Sequence, residues 1–201
     1  TPWTLGDFLT ITDPSPDRSW VQHLRKELSA AFERMGFAGF HLDQYGWPKV
    51  AARRDGSEVD LALAFPALIG EVRDELPDAK LIFNNVNDFP THATARAPQD
   101  ALYVEVWSPH DTYADLADII VRARRDGEGK PVILAAYLEP YANEPQERAD
   151  AAAQLTFATI AAHGGHHLLC GERGGVLVDP YYPNYHRTSA DSFAVLRRLF
   201  D

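Results

Sequence analysis

Cysteine, basic side chains and long apolar runs are all scarce in this chain of 201 residues. Its one cysteine, Cys170, excludes a disulfide bond within the chain. Lysine and arginine number 19 against 29 aspartates and glutamates, a net charge of -10, and they form no cluster of the kind that binds nucleic acid. No apolar run approaches the roughly 20 residues that span a bilayer. The composition therefore favours a protein that binds neither nucleic acid nor a membrane.

Two kinds of cofactor motif are also missing from the sequence. There is no Gly-x-Gly-x-x-Gly stretch and no Walker-type loop, which weighs against a nucleotide-binding sheet. Several histidines stand out, but none has the carboxylate or cysteine neighbours expected of a zinc site: His110, His163, His166 and His167. We therefore expect no metal and no other cofactor.

The size and apolar content of the chain are sufficient for one globular domain. With 45% hydrophobic and 24% charged residues it can build a sizeable core, so we expect a single domain over residues 1–201 without an internal boundary. The chain begins at Thr1 with neither an initiator methionine nor a signal peptide. It therefore reads as a mature or excised piece, and the missing signal carries no information about location.

The pattern of apolar residues predicts five successive units of strand, loop and helix. Connections after strands are long and aromatic, whereas connections after helices are short and marked by glycine or proline. This asymmetry is typical of a (β/α) barrel or of an open doubly wound sheet. We expect irregular connections over residues 45–57, 91–99, 140–145 and 171–187. We expect strands at residues 36–43, 80–86, 100–107, 131–137 and 166–170.

Helix ends are predicted from capping residues. Ser15, followed by proline, suits the N-cap of the first helix, and Gly36 suits its end. Thr112 and Asp115 have the spacing of a capping box at the start of a later helix. Ser189 suits the N-cap of the last helix.

Residues 36–46, Gly-Phe-Ala-Gly-Phe-His-Leu-Asp-Gln-Tyr-Gly, form a short apolar run that ends in polar and aromatic residues. Side chains alternate along a strand, so Phe40 and Leu42 share one face while His41 and Asp43 share the other. Asp43 comes where the strand stops, and catalytic groups collect at the carboxyl ends of parallel strands. A loop-capping aspartate is the alternative reading of Asp43.

A second carboxylate lies within an apolar strand at residues 100–107. Tyr103, Glu105 and Trp107 share one face, and desolvation between the two rings should raise the pKa of Glu105, which suits a general acid. A glutamate paired with a neighbouring arginine is the alternative. Two carboxylates at the ends of two strands, among aromatic rings, are the arrangement that glycoside hydrolysis uses. The amides that follow another strand suit sugar hydroxyls, or else form a loop: Asn84, Asn85 and Asn87.

These segments, in this order, resemble glycoside hydrolase family 66, the dextranases and cycloisomaltooligosaccharide glucanotransferases. Residues 36–46 are similar to the nucleophile segment of that family, with Ala38 where the family has aspartate. Four further segments resemble family motifs: Asn-Asn-Val-Asn at 84–87, Tyr-Val-Glu-Val-Trp at 103–107, Leu-Ala-Ala-Tyr at 134–137, and the tail formed by Gly-Gly-His-His at 164–167, Gly171 and Tyr-Pro-Asn at 182–184.

The resemblance implies a (β/α)8 TIM barrel, of which this chain holds strands 4 to 8. Asp43 would end the fourth strand and Glu105 the sixth, and the first three strands would come from the rest of the parent chain. It also implies a retaining hydrolysis of α-1,6-glucan, with Asp43 as nucleophile and Glu105 as acid/base. Their carboxyl groups would then lie about 5 to 5.5 Å apart.

The resemblance further implies a set of substrate contacts at the strand ends. For the aromatic members, packing inside the barrel is the alternative. The expected substrate-binding residues are His41, Tyr45, Trp47, Asn85, Asn87, Tyr103, Trp107, Tyr137 and His167.

Hydrolysis is favoured over cyclisation. Cyclising members of the family carry an inserted carbohydrate-binding module after the seventh strand, and here Tyr137 leads into the next helix within about ten residues. Three alternatives stay open: a cyclising or transferring enzyme, a related enzyme for another α-glycoside, and an inactive glycan-binding fragment. The resemblance also implies a bacterial protein that is secreted or held at the cell surface.

Overall fold

The computed structural model describes residues 4–5, 9–10, 12–46, 49–168, 175–179 and 185–200. The chain divides into two compact units, Thr1–Leu102 and Tyr103–Asp201. Each unit contains helices and a pair of parallel strands, so the expected α/β fold with parallel strands is confirmed. The expectation of a single domain over residues 1–201 stays a prediction.

Among its described residues, the first unit contains two hairpins, the parallel strands β3 and β6, and three helices. In chain order its elements are β1 (Thr4–Leu5), β2 (Leu9–Thr10), α1 (Ser19–Met35), β3 (Gly39–Leu42), β4 (Val50–Ala52), β5 (Glu58–Asp60), α2 (Leu61–Glu75), β6 (Lys80–Val86) and α3 (Thr91–Thr94). Strands β1 and β2 pair antiparallel, as do β4 and β5. Strands β3 and β6 are parallel, with Gly39 opposite Lys80 and Leu42 opposite Phe83.

The core of this unit lies between one face of the parallel strands and the helices. Alternation along β3 and β6 brings Leu42, Leu81 and Phe83 to that face, where all three are buried. Helix α2 meets them with apolar residues spaced at three and four positions, the period of a helix face. Its buried residues are Leu61, Ala64, Phe65, Leu68, Ile69 and Val72. Each fully buried Leu or Phe contributes about 1.5–3 kcal/mol.

Helix α1 ends as predicted but begins later. Gly36 has a φ of 65°, the left-handed conformation of a helix C-cap, and confirms the predicted end. The prediction of Ser15 as N-cap is wrong, because α1 starts at Ser19. Both the backbone N–H and the hydroxyl of Ser15 donate to Asp13 Oδ1, at 3.0 and 2.6 Å. That local turn uses the serine before the helix begins.

Residues 45–57 do not form an irregular connection throughout, because hairpin β4–β5 occupies Val50–Ala52 and Glu58–Asp60. Its turn contains Gly56 at a φ of 84°, and Asp55 Oδ1 accepts from the backbone N–H of Ser57 at 2.9 Å. The Asp-Gly pair is a hairpin signal that the sequence contains. Asp60 then caps α2 by accepting from Ala62 N at 2.9 Å.

Among its described residues, the second unit contains four helices, parallel strands and one hairpin. After β7 (Leu102–Val106), which spans the division between the units, come α4 (Tyr113–Asp126), β8 (Val132–Ala136), α5 (Glu139–Asn143), α6 (Gln146–Ala162), β9 (His166–His167), β10 (Gly175–Leu177), β11 (Tyr185–Arg187) and α7 (Ala190–Phe200). Strands β8 and β9 are parallel, with Ile133 opposite His166, and β10 pairs antiparallel with β11.

Three expected loops contain regular structure that the sequence patterns did not show. Short helices α3 and α5 lie in the stretches 91–99 and 140–145, and hairpin β10–β11 lies in the stretch 171–187. Each element is five residues or shorter, so no hydrophobic period can develop along it. Cys170 and much of the stretch 171–187, including Gly171 and Tyr182 to Asn184, lie outside the described residues.

The second unit builds its core on helices α4 and α6. Leu116, Ile119 and Ile120 of α4 are fully buried, as is Ile160 of α6. The predicted capping box of α4 is confirmed, because Thr112 Oγ1 accepts from Asp115 N while Asp115 Oδ2 accepts from Thr112 N. Ser189 Oγ accepts from Ser192 N at 3.1 Å and caps α7 as predicted. In the described part of the chain, no helix combines the length and apolar character that crossing a membrane requires.

We expect Gly39→Ala to destabilise the first unit. A Cβ atom at this position would overlap the backbone carbonyl of Lys80, so β3 and β6 would have to move apart. Overpacking of this kind costs about 1–3 kcal/mol, measured as a lower free energy of unfolding in urea. Gly70→Ala is the matched control, because Gly70 lies in α2 with open space around its Cα, and alanine there should add about 0.5–1 kcal/mol. If Gly39→Ala were as stable as wild type, the close approach of the two strands would be wrong.

Candidate active site

Asp43 is the first residue after strand β3, at its carboxyl end, and its side chain is exposed. One of its oxygens is held by two donors. Oδ1 accepts from the backbone N–H of Gln44 at 2.8 Å and from Asn84 Nδ2 at 2.9 Å. Leu42 lies opposite Phe83 in the parallel register, so the residues that follow each of them lie opposite one another. The carboxylate is thus anchored through one oxygen, while its other oxygen accepts no hydrogen bond from the residues that the structure describes.

The side chain of Gln44 holds the backbone around Asp43. Gln44 Nε2 donates to the carbonyl oxygen of Asn84 at 3.2 Å and to that of Phe89 at 2.8 Å. Gln44 Oε1 accepts from the backbone N–H of Gly46 at 3.1 Å. One amide therefore connects the end of β3 with the end of β6 and with the turn that follows β6.

His41 precedes Asp43 by two residues and shares its face of the strand, as the alternation predicts. Its side chain is exposed, yet partial desolvation of the ring lowers the pKa of His41 below its ordinary value of 6.5. The negative charge of Asp43 opposes this shift. Near neutral pH the imidazole is therefore mainly uncharged and can both donate and accept a hydrogen bond.

Tyr45 follows Asp43 by two residues and packs against the core of the first unit. Its ring contacts that of Phe65, with the centroids 6.2 Å apart. Burial, assisted by the charge of Asp13, raises the pKa of the Tyr45 hydroxyl to about 12, so this group stays protonated. Tyr45 also lines a cavity of about 1030 Å³ in the first unit, together with Asp13 and Arg53. Trp47, another expected substrate contact, lies outside the described residues.

The two asparagines predicted as substrate contacts have different surroundings. Asn85 is fully buried, where its Oδ1 accepts from Thr94 Oγ1 at 2.6 Å and its Nδ2 donates to Phe83 O at 3.2 Å. Asn87 is partly exposed in a tight turn, and both it and Asp88 have left-handed backbones, with φ of 53° and 63°. Their roles in substrate binding stay predictions.

Asn84, rather than Asn85, contacts Asp43, and the expected substrate-binding set omitted it. Alternation along β6 gives neighbouring asparagines opposite faces, so only one of them can face Asp43. What identifies it is the register of β3 against β6, which the residue pattern of neither strand defines by itself.

Glu105 lies inside β7 and is 7% exposed. The flanking residues Val104 and Val106 are fully buried, and Tyr103 is 6% exposed. The strand thus buries both of its faces, and alternation gives Tyr103, Glu105 and Trp107 a common face, as predicted. The rings of Trp107 and Tyr137 are in contact, with centroids 4.9 Å apart, and Tyr137 N donates to Val106 O at 3.4 Å. The second unit therefore brings Glu105, Trp107 and Tyr137 to neighbouring strand ends.

His167 is buried at the carboxyl end of β9. Its register partner on β8 is Leu134, whereas the partner of the exposed His166 is Ile133. The two histidines therefore face opposite sides of the sheet, and His167 shares the face of Leu134 rather than that of Tyr137. Its role as a substrate contact stays a prediction. Over the described ranges, no group of three or more His, Cys, Asp or Glu side chains is arranged to hold a metal ion.

We expect His167 to make the stability of the protein depend on pH. Burial lowers its pKa from 6.5 to about 4, so between these values the unfolded chain binds a proton that the folded chain does not. Stability should therefore fall as the pH is lowered from about 6.5 to about 4, by about 3 kcal/mol in total. The measurement is the free energy of unfolding in urea at a series of pH values. In His167→Gln this free energy should no longer fall between about pH 6.5 and 4 by the amount that His167 contributes.

His166→Gln is the matched control, because an exposed side chain is solvated in both the folded and the unfolded protein. If the slope were the same in His167→Gln and wild type, the burial of His167 would not be the source of the pH dependence.

Sequence comparison identifies relatives along nearly the whole chain. Residues 5–196 match Glycosyl hydrolase family 66. Two cycloisomaltooligosaccharide glucanotransferases of Niallia circulans are 26% and 29% identical over 171 residues, which is 79% of this chain and 17% and 18% of theirs. A dextranase of Streptococcus salivarius is 27% identical over 244 residues, covering 99% of this chain and 29% of the dextranase. The chain spans less than a third of the length of these relatives.

Solved structures with a similar fold include two carbohydrate-active proteins. One is the cycloisomaltooligosaccharide glucanotransferase of Paenibacillus sp. complexed with cycloisomaltoheptaose, with a TM-score of 0.64 and 23% identity over 71% of this chain and 22% of that one. The other is the catalytic domain of the hyperthermophilic chitinase from Pyrococcus furiosus, with a TM-score of 0.56 and 12% identity over 97% of this chain and 70% of that one. At these identities the likeness concerns the fold alone. Because the family match extends over most of its residues, the chain belongs to glycosyl hydrolase family 66.

Proposed function

We propose that this chain carries the catalytic residues of a dextranase-like enzyme, which hydrolyses α-1,6-glucan with retention of configuration. The observation that carries the proposal is the state of Asp43, an exposed carboxylate at a strand end, with one oxygen anchored and the other without a hydrogen bond among the described residues. Membership of the family, and the dextranase among the relatives, support the reaction class.

In the first step of the proposed reaction, a carboxylate oxygen of Asp43 attacks the anomeric carbon of a glucosyl unit. The bond from that carbon to the glycosidic oxygen breaks, and its electron pair goes to the leaving oxygen, which takes the proton of Glu105. A glucosyl ester of Asp43 forms and the leaving sugar departs as an alcohol. Burial of Glu105 supports its role here, because a desolvated carboxyl group favours the protonated form that an acid needs.

In the second step, water replaces the leaving sugar. Glu105, now a carboxylate, takes a proton from a water molecule while the oxygen of that water attacks the anomeric carbon. The ester bond to Asp43 breaks and the electron pair returns to the carboxylate. Two inversions give a product with the α configuration of the substrate.

The proposed binding surface consists of aromatic and polar side chains that the family resemblance implies. The ring pair formed by Trp107 and Tyr137 supports an apolar platform on which a sugar face can stack. The mainly uncharged imidazole of His41 suits a sugar hydroxyl, since it can donate or accept. The remaining proposed contacts are Tyr45, Trp47, Asn85, Asn87, Tyr103 and His167.

We also propose that the strands of this chain belong to a (β/α)8 barrel. Strands β3, β6, β7, β8 and β9 would be its strands 4 to 8, and the first three would come from other parts of the full-length protein. The repeated alternation of parallel strands with helices supports this assignment. Secretion, or attachment at the cell surface, is the location proposed with it, because a glucan polymer is met outside the cell.

Cyclisation is the second candidate function, favoured by the names of two relatives. In a cyclising enzyme a hydroxyl of the same glucan chain would replace water in the second step. Hydrolysis is supported by the short connection after β8, in which the five-residue helix α5 lies between Ala136 and Gln146. Cyclic products from dextran, in place of linear isomaltooligosaccharides, would favour the second candidate. A third candidate, a glycan-binding protein without activity, predicts binding of dextran without products.

The test of the proposed function is the release of isomaltooligosaccharides from dextran by the full-length protein. Asp43→Asn should reduce kcat by about 10³-fold or more, because it removes the nucleophile. Glu105→Gln should reduce kcat by about 10²- to 10⁴-fold, the contribution of a general acid. Early products, examined by NMR before mutarotation, should have the α configuration.

Asp74→Asn is the matched control, an exposed carboxylate of helix α2 that should retain wild-type activity. Full activity of either the Asp43 or the Glu105 variant would contradict the residue assignment. Wild-type protein that leaves dextran intact would contradict the substrate, and β-configured products would contradict the retaining mechanism.

A further inference from the structure

We propose that Asn84 is a positioning residue for Asp43, and that the attacking oxygen of Asp43 is Oδ2. This inference rests on the proposed function, because it assigns roles within the first step of that reaction. It adds a residue to the machinery and distinguishes the two carboxylate oxygens from one another.

The two oxygens of Asp43 have different environments. Oδ1 accepts from Asn84 Nδ2 at 2.9 Å and from Gln44 N at 2.8 Å, both within ordinary hydrogen-bond range. Within the described part of the chain, Oδ2 has no hydrogen bond. Donors on one oxygen localise negative charge there and fix the rotation of the carboxylate. The oxygen with open surroundings is therefore the one that can approach an anomeric carbon.

Asn84 is held in place by more of its surroundings than Asp43, the residue to which it donates. It lies in β6 and is 6% exposed, whereas Asp43 is exposed just beyond the end of β3. Its carbonyl oxygen accepts from Gln44 Nε2, and the same amide group donates to Phe89 O. The preceding residue is held as well, because Phe83 N donates to Gln99 Oε1 at 3.0 Å. The donor is thus held within the sheet, whereas the carboxylate that it contacts lies just beyond the end of a strand.

Restricting a nucleophile to one rotamer increases the rate of attack, since the reacting atoms must meet at about 3–3.5 Å with aligned orbitals. A lone contact from the Gln44 backbone would still allow the carboxylate to turn about that hydrogen bond. The second contact from Asn84, on the neighbouring strand, removes this freedom. Asn84 would therefore act on the rate of the first step and not on the binding of glucan.

The first experiment measures kcat and KM separately, on dextran, in the full-length protein. Asn84→Ala should lower kcat by about 10- to 100-fold, the effect of losing one hydrogen bond to a charged group, with KM within about twofold of wild type. Asn84→Asp has nearly the same shape but replaces the donor by a like charge, and it should lower kcat at least as much. This second variant keeps the test decisive if the alanine variant does not fold. Gln22→Ala, at an exposed amide of helix α1, is the control.

The second experiment separates positioning from a general structural effect by removing the nucleophile. In Asp43→Ala, azide can enter the vacated space and attack the anomeric carbon of an activated α-glycoside such as a nitrophenyl isomaltoside. The bond to the nitrophenolate breaks, its electron pair leaves with that group, and a β-glycosyl azide forms. No carboxylate remains to be positioned, so adding Asn84→Ala to Asp43→Ala should leave the azide-dependent rate within about twofold.

The outcomes distinguish failure of the inference from failure of the proposed function. Wild-type kcat in both Asn84 variants, beside an inactive Asp43→Asn, would overturn the inference and leave the proposed function standing. An equal loss of azide-dependent rate would assign Asn84 a structural role and also overturn it. If wild-type protein did not cleave dextran, or Asp43→Asn stayed active, the proposed function would fail and the inference with it.

Discussion

The parallel pairing of β3 with β6 is the constraint on which the Asp43 site depends. The two backbones approach so closely at Gly39 that a side chain there would overlap the carbonyl of Lys80. From that contact the register runs four residues to Leu42 and Phe83, and the next step brings Asp43 opposite Asn84. The position of the Asp43 carboxylate thus depends on a close backbone contact at the opposite end of the strand, which the absence of a Cβ atom at Gly39 permits.

Long elements were predictable from the sequence because their signals repeat. Helices α1 and α4 show apolar residues at three- and four-residue spacing, and α1 ends at Gly36, which the sequence identified. Short elements were not predictable in this way. Hairpin β4–β5 has only the Asp55-Gly56 turn as its signal, and α5 is a single turn and a half. The error at Ser15 has another cause, since serine caps a helix or closes a turn with the same hydroxyl, and Asp13 decides between them.

The site was partly predictable for the same reason. Alternation along β3 predicted that His41 and Asp43 share one face. Alternation along β7 likewise predicted that Glu105 shares a face with Tyr103 and Trp107. To predict which of Asn84, Asn85 and Asn87 contacts Asp43, one must know the register between β3 and β6. The residue pattern of a single strand does not define how it is aligned with its neighbour. The hydrogen bond from the Thr94 hydroxyl to Asn85 could not be predicted from the sequence either, because it depends on the position of α3 after the turn.

The amide of Gln44 has a consequence for how the loops around this site can vary. Its Nε2 group donates to the carbonyl oxygens of both Asn84 and Phe89. The length of the turn between these two residues must therefore match the position of Gln44 in the segment that follows Asp43. An extra residue in that turn would displace one of the two carbonyls and loosen the carboxylate. Over the described residues, hairpin β4–β5 makes no hydrogen bond to Gln44, and its tip at Gly56 has open space around it. Of these two segments, the turn after β6 is therefore the one whose length the hydrogen bonds of Gln44 constrain.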